Sequence, residues 1–218
     1  MRPLLLGHRG ARASKHIPEN TLASFELCLQ HGCDGFEFDV RLAADGIAVV
    51  CHDPMFAGQE IATTSAKSLR LPTLDEVLRQ FSERAFLDIE LKVTDGGSHV
   101  VAALRAHPPQ KGYVVSSFLP HALCAVHNFN ESIPLGFLRE GKYEPCPAEP
   151  HDKPTLPAAW VIPHRSLVDQ ESIRQAHSAG SKVMVWTVDR GDEMQQLSDW
   201  GADAIISDDT ALLAATFQ

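Results

Sequence analysis

The sequence predicts an α/β fold, a single (β/α)8 TIM-barrel domain spanning residues 1–218. Two observations carry this. Short apolar runs of strand character alternate with helix-period segments almost throughout, giving about eight strands. Three helix-like segments also end at a glycine, with a strand starting two or three residues later, at Gly32, Gly180 and Gly201. Glycine at that position caps a helix whose chain turns back into a sheet. Eight such units close into a barrel whose chemistry gathers at the C-terminal ends of its strands. An open doubly wound sheet is the alternative, but the first strand-to-helix turn lacks G-x-G-x-x-G.

Each element has its own reason. Leu4-Leu5-Leu6 reads as a buried strand that delivers His8 at its C-terminal end. After Pro18-Glu19-Asn20-Thr21, the residues Leu22, Phe25 and Leu29 share a helical face. Ile47 to Cys51 forms an extended run after a turn at Asp45-Gly46 and ends at His52-Asp53-Pro54. Thr73 and Glu76 fit a capping box ahead of the stripe Leu74, Val77, Leu78 and Phe81. Strands are expected at Tyr113–Ser116, Ile133–Leu138, Trp160–Ile162, Lys182–Val188 and Ala204–Ile206. Helices are expected from about Pro120 to His127, from Asp169 toward Gly180 and from Gly191 to Trp200. Residues 141–157, rich in proline and polar groups, read as a loop.

The chemistry is organised around Gly35-Phe36-Glu37-Phe38-Asp39-Val40. Period-two alternation puts the apolar side chains on one face of a strand and Glu37 and Asp39 on the other. Two adjacent carboxylates on an interior face repel each other and lose hydration, so a compensating charge is required. A divalent cation with oxygen ligands is the simplest one. Phe86 to Lys92 repeats the pattern, with Asp88, Glu90 and Lys92 on one face; Glu90 rates as a third ligand and Asp88, deeper in the strand, as a supporting group. His8 and His52 each end a strand-like run and suit proton acceptance and donation, although packing or surface roles are the alternative among eleven histidines. Arg9 and Lys92 suit a phosphate group, with surface ion pairing as the plainer reading. Lys92 also has a rival role as a Schiff-base nucleophile in a barrel lyase or aldolase. Trp186 packs the rim or walls a substrate pocket.

Composition narrows the classes. A net charge of -9 argues against nucleic acid or an anionic membrane as the main partner. The apolar start, Leu4-Leu5-Leu6, is too short for a signal peptide, and no run approaches a membrane span. Five cysteines without C-x-x-C spacing, Cys28, Cys33, Cys51, Cys124 and Cys146, read as reduced thiols. A cytoplasmic protein without stable membrane insertion is therefore expected.

In order, Gly7-His8-Arg9-Gly10, Pro18-Glu19-Asn20-Thr21, Glu37-Phe38-Asp39-Val40, His52-Asp53-Pro54, Pro72-Thr73-Leu74, Glu90-Leu91-Lys92 and Trp186-Thr187-Val188 resemble the glycerophosphodiester phosphodiesterase family. The resemblance covers nearly the whole chain. It implies a TIM barrel that hydrolyses glycerophosphodiesters to sn-glycerol 3-phosphate and an alcohol with one divalent metal ion, Mg2+ or Ca2+. By position, Glu37, Asp39 and Glu90 would be metal ligands and His8 and His52 the acid–base pair. Arg9 and Lys92 would hold phosphate, while Glu19 and Asn20 would support the rim. The resemblance also implies attack by the glycerol hydroxyl first, with water opening a cyclic phosphate afterwards. Three departures stand out. The family insertion after His-Asp-Pro is reduced to about residues 54–71, which leaves a lysophospholipid or another phosphodiester open as substrate. Asp189 stands where the family commonly has asparagine, and Ser207-Asp208-Asp209-Thr210 replaces Thr-Asp-x-Pro. Outside this reaction class, the Lys92 lyase and a non-catalytic phosphate- or metal-binding barrel are the rivals.

Overall fold

The alternation at residues 35–42 sets the architecture. In the computed structural model, which describes residues 2–141 and 158–218, this segment is an eight-residue strand buried over its first six positions. In chain order the early elements are β1 (Leu4–Gly7), α1 (Leu22–Gln30), β2 (Gly35–Leu42), β3 (Ala48–Val50), β4 (Met55–Phe56), β5 (Gln59–Glu60), α2 (Ala66–Leu69), α3 (Leu74–Phe81) and β6 (Phe86–Leu91). There follow α4 (Gly97–Ala106), β7 (Tyr113–Ser117), α5 (Pro120–Phe129), β8 (Leu135–Arg139), β9 (Ala158–Pro163), α6 (Gln170–Ser178), β10 (Lys182–Val185), α7 (Gly191–Asp199), β11 (Ala204–Ser207) and α8 (Thr210–Thr216).

Eight of these strands run parallel in the order β1-β11-β10-β9-β8-β7-β6-β2. Because β1 pairs with both β11 and β2, the sheet closes on itself as the predicted (β/α)8 barrel. The extended run expected at Ile47–Cys51 is present as β3 but belongs to no barrel unit; it folds back antiparallel on β2 through the turn at Gly46, whose φ is +76°. The small β4–β5 hairpin, a 3-10 turn at Ile61–Thr63 and α2 fill the segment before α3.

Aromatic packing fixes the orientation of β2. Phe25 of α1 stacks on Phe36 with ring centroids 4.2 Å apart and planes 3° from parallel. Phe81 of α3 meets Phe36 edge-on at 5.1 Å. These rings, with Phe38 and Val40, belong to the core between strands and helices. The alternate residues, Glu37 and Asp39, are thereby committed to the barrel interior.

The local signals act as expected. Thr73 and Glu76 form the reciprocal capping box of α3, and Asp169 caps α6. Gly32, Gly180 and Gly201 adopt φ of +98°, +83° and +96°, closing helices as read from their spacing. Strand Lys182–Val185 stops short of the expected Val188, and α4 and α8 carry no signal that was read. The loop assigned to 141–157 lies, from residue 142 onward, outside the described residues, as does Cys146. The other four cysteines are free thiols, with Cys28 and Cys33 buried.

The seam between β2 and β6 admits no side chain at its start. A Cβ on Gly35 would stand 1.9 Å from the carbonyl oxygen of Phe86, its register partner. We expect Gly35→Ala to destabilise the fold by about 1–3 kcal/mol or more, the cost of overpacking against backbone. Urea unfolding of variant and parent would check this; an unchanged midpoint would mean that the seam yields.

Candidate active site

Parallel pairing of β2 with β6 sets Glu37 beside Asp88 and Asp39 beside Glu90. All four carboxylates are buried. Oxygens of Glu37, Asp39 and Glu90 lie within 4.8 Å of one another, whereas Asp88 sits a layer deeper and accepts a hydrogen bond from Ser116 Oγ at 2.6 Å. Such crowding has electrostatic consequences. Burial, then the charges of Asp39, Glu90 and Asp88, push the Glu37 carboxyl well above the usual range. Burial and Asp39 raise Glu90 to about 7 against the opposing pull of Lys92. Burial raises Asp88 to about 7. Asp39 goes the other way: burial opposes its charge, but Lys92, Arg9 and the Asn20 hydrogen bond hold its pKa below the ordinary value.

The cations come from neighbouring strand ends. Lys92 Nζ lies 2.5 Å from Glu90 Oε1 and 3.1 Å from Asp39 Oδ1. Those carboxylates raise its pKa although burial alone would lower it. A lysine held as ammonium has no lone pair for carbonyl attack, so the Schiff-base reading loses its physical basis. Arg9 donates its backbone N–H to Glu37 Oε2 at 2.9 Å, while its guanidinium binds Glu19 Oε1 at 2.7 Å and lies 3.2 Å from Asp39 Oδ2. Asn20 donates to Asp39 Oδ2 at 2.7 Å and so holds that carboxylate directly. Both Arg9 and Asn20 adopt left-handed backbones, φ +53° and +57°. That conformation costs energy in a non-glycine residue, least so in asparagine, and here it aims both residues into the acidic cluster.

Even so, the cluster is not satisfied. Glu37 Oε1 is buried without a hydrogen-bond donor, and Asp39 Oδ1 is met only by the Lys92 ammonium at 3.1 Å. A buried set of carboxylate oxygens so incompletely satisfied fits a hard divalent cation held by Glu37, Asp39 and Glu90.

Both candidate histidines reach this mouth. His8 follows β1, with Nε2 3.9 Å from Glu37 Oε2 and Nδ1 2.6 Å from Asp208 Oδ1. His52 follows β3 and pairs through Nδ1 with Asp53 Oδ1 at 2.8 Å. Since a carboxylate only accepts, each Nδ1 carries a proton and each Nε2 of the neutral ring is left free. Together with Arg9, Glu37, Glu90, Lys92 and Trp186, the two histidines line a pocket of about 220 Å3 whose other walls are Phe118, Leu138, Glu140 and Ile206. Trp186 is fixed by its indole N–H on the Ile162 carbonyl at 3.0 Å and stands edge-to-face with Phe118 at 5.5 Å.

Sequence reasoning missed Asp208 and Arg12. Arg12 donates to Asp208 Oδ2 at 2.8 Å and to Glu19 Oε2 at 2.6 Å. Burial would raise the pKa of Asp208, but the His8 hydrogen bond and the Arg12 charge hold it low. Barrel closure was the available signal: Gly7 and Ser207 are register partners, so the residues following them must meet. Asp189 accepts from Ser207 Oγ at 2.9 Å and from the Asp208 N–H at 2.8 Å, bracing the turn that presents Asp208.

Comparison with known proteins agrees with this arrangement. The profile of the glycerophosphoryl diester phosphodiesterase family matches residues 8–76 and 55–212. A glycerophosphodiester phosphodiesterase of Caldanaerobacter subterraneus subsp. tengcongensis is 30% identical, the alignment covering 98% of this chain and 97% of that protein. One from Bacillus subtilis is 26% identical over 94% of this chain and 83% of its own length. The crystal structure of an Oleispira antarctica phosphodiesterase in complex with the product sn-glycerol-3-phosphate superposes with a TM-score of 0.83, at 26% identity and covering 99% and 96% of the two chains. The Thermotoga maritima glycerophosphodiester phosphodiesterase, 22% identical with a TM-score of 0.80 and covering 99% and 98%, shares the fold. The chain belongs to the glycerophosphoryl diester phosphodiesterase family.

Proposed function

We propose that this protein hydrolyses glycerophosphodiesters to sn-glycerol 3-phosphate and an alcohol, with one divalent cation, Mg2+ or Ca2+, held by Glu37, Asp39 and Glu90. The observation that carries the cation is the convergence of three buried carboxylates within 4.8 Å, with Glu37 Oε1 left without a donor. A cation there supplies Lewis-acid stabilisation of the charge developing on phosphate. Arg9 and Lys92, on either side of Asp39, contribute fixed positive charge toward the same group. His8 and His52 present their Nε2 atoms as proton acceptor and donor. One takes the proton of the attacking glycerol hydroxyl and the other supplies the leaving alcohol; in the second half they exchange roles as water opens the cyclic phosphate. Asp208 holds His8 in the required tautomer and orientation. Glu19 and Asn20 act indirectly, Glu19 by tying Arg9 to Arg12 and Asn20 by steering Asp39. The short segment 54–71 leaves the mouth open to alcohols of different size. No described helix is long and apolar enough to cross a membrane; the free thiols of Cys28, Cys33, Cys51 and Cys124 support a reducing, cytoplasmic location.

The decisive assay is release of sn-glycerol 3-phosphate from several glycerophosphodiesters, with Mg2+ or Ca2+ and with chelator. Metal-dependent release is expected. Hydrolysis of a generic aryl phosphodiester alone would keep the chemistry and discard the substrate class. In that assay His8→Ala and His52→Ala should each lose about 10²–10⁴-fold in kcat, with unchanged circular dichroism. A histidine whose removal leaves the rate near normal has no part in proton transfer. Asp208→Asn should lower kcat more than it raises KM and shift the acid limb of the pH profile, because the ring loses the anionic acceptor at Nδ1; an unaltered profile would make Asp208 purely structural.

The acidic cluster also predicts a pH dependence of stability. Glu90 and Asp88 titrate at about 7 in the folded chain and at about 4 when unfolded. Carboxyls raised in this way contribute stability that is present at low pH and lost as pH rises through 7. Chelated protein should therefore melt at a lower temperature at pH 8 than at pH 5.5, and saturating divalent cation should remove most of the difference. A chelated protein that melts higher at pH 8 would contradict the assignment.

A further inference from the structure

His8 and His52 face the same pocket but are held unequally. The His8 side chain is 13% exposed, and Asp208, the partner of its Nδ1, is itself bound by Arg12. The His52 side chain is 37% exposed, and Asp53, the carboxylate on its Nδ1, is 73% exposed. A pair between adjacent, solvated side chains fixes a ring weakly. The sheet does not anchor His52 either. β3 ends at Val50, and the backbone bond that follows it runs from the Cys51 N–H to the Asp39 carbonyl at 3.0 Å. Beyond that point a side chain takes over: Arg41 donates its Nε–H to the His52 carbonyl at 2.8 Å.

Resting on the phosphodiesterase reading, we propose that Arg41 is a positioning residue that ties His52 to the strand carrying two of the metal ligands. Period-two alternation along β2 puts Arg41 in one row with Glu37 and Asp39, two positions beyond the second of them. Its register partner on β3 is Val49, so the chain from Val49 to His52 runs back along β2 and the guanidinium grips the end of that return. Arg9 and Lys92 spend their charge on carboxylates, whereas Arg41 addresses the backbone of a histidine. Its charge is secure. Burial lowers its pKa against the opposing pull of Cys51, Asp39, Asp53 and Glu90, and a guanidinium remains protonated throughout the neutral range. A charged donor on a carbonyl is among the stronger hydrogen bonds, and the planar fork of arginine loses little freedom in making it. Proton transfer requires His52 Nε2 within hydrogen-bond reach of the reacting oxygen. A displacement of about 1 Å can cost about 10²-fold in rate.

The test is a double-mutant cycle on the full-length protein, following sn-glycerol 3-phosphate released from glycerophosphocholine with Mg2+. Arg41→Met should lower kcat about 10- to 100-fold, with KM little changed and the circular dichroism of the parent. In the His52→Ala protein the same substitution should cost less than about twofold, because the group that Arg41 orients is gone. Arg41→Lys keeps a charged donor and should lose less than Arg41→Met; it takes the place of the methionine variant in the cycle if that one does not fold. Parent-like kcat in Arg41→Met would overturn the assignment and leave the hydrolase reading standing. Losses that multiply in the double variant, or a loss carried by KM, would do the same and make Arg41 a direct phosphate contact. No sn-glycerol 3-phosphate from the parent would overturn the hydrolase reading itself, and the assignment with it.

Discussion

Everything at the mouth of this barrel follows from placing Glu37, Asp39 and Glu90 where water cannot fully solvate them. Three carboxylates with oxygens within 4.8 Å of one another cannot all remain charged on their own. The fold answers with Lys92, the Arg9 guanidinium and backbone N–H, and the Asn20 amide, groups of three residues well separated in the chain. These settle Asp39, whose pKa is low, and leave Glu37 and Glu90 with raised values. Compensation is thus fuller on Asp39 than on Glu37 and Glu90. A cluster arranged in this way calls for either protons or a cation to balance it.

Keeping the acids on the interior face is the task of aromatic packing elsewhere. Phe36 and Phe38 fill the space between β2 and the helices, stacked and tilted against Phe25 and Phe81. A one-residue register slip would carry Phe36 and Phe38 into the polar interior and the carboxylates into the core, at a cost comparable with total stability. The charged cluster and the phenylalanine cluster are the two faces of one strand, and neither is placed without the other.

The parts of this design that repeat locally were legible in the sequence. Alternation at Gly35–Val40 and Phe86–Leu91 gave the acidic face, and glycine at 32, 180 and 201 gave the helix ends. Those signals depend on neighbours within a few residues. The Ile47–Cys51 run shows the limit, because an antiparallel return on β2 and a barrel strand share the same alternation; only the tight Asp45-Gly46 turn separates them. Asp208 was illegible for a different reason. Its partner His8 lies 200 positions away, and only closure of β1 on β11 brings them together. The fixed αL backbones of Arg9 and Asn20 leave no compositional trace at all in arginine's case.

Closure therefore does more than finish the sheet. His8, Arg9, Arg12 and Glu19 come from the first barrel unit and Asp208 from the last. Hydrogen bonds run without a break from Arg9 through Glu19 and Arg12 to Asp208 and His8. Within that chain each carboxylate is shared between two donors, so loss of the β1–β11 seam would release Glu19 and Asp208 into water and free the His8 ring to rotate. The orientation of His8 and the closure of the barrel depend on the same contact. The wall formed by Phe118, Leu138, Glu140 and Trp186 lies outside that chain of bonds. Its side chains can therefore vary without disturbing how His8 is held.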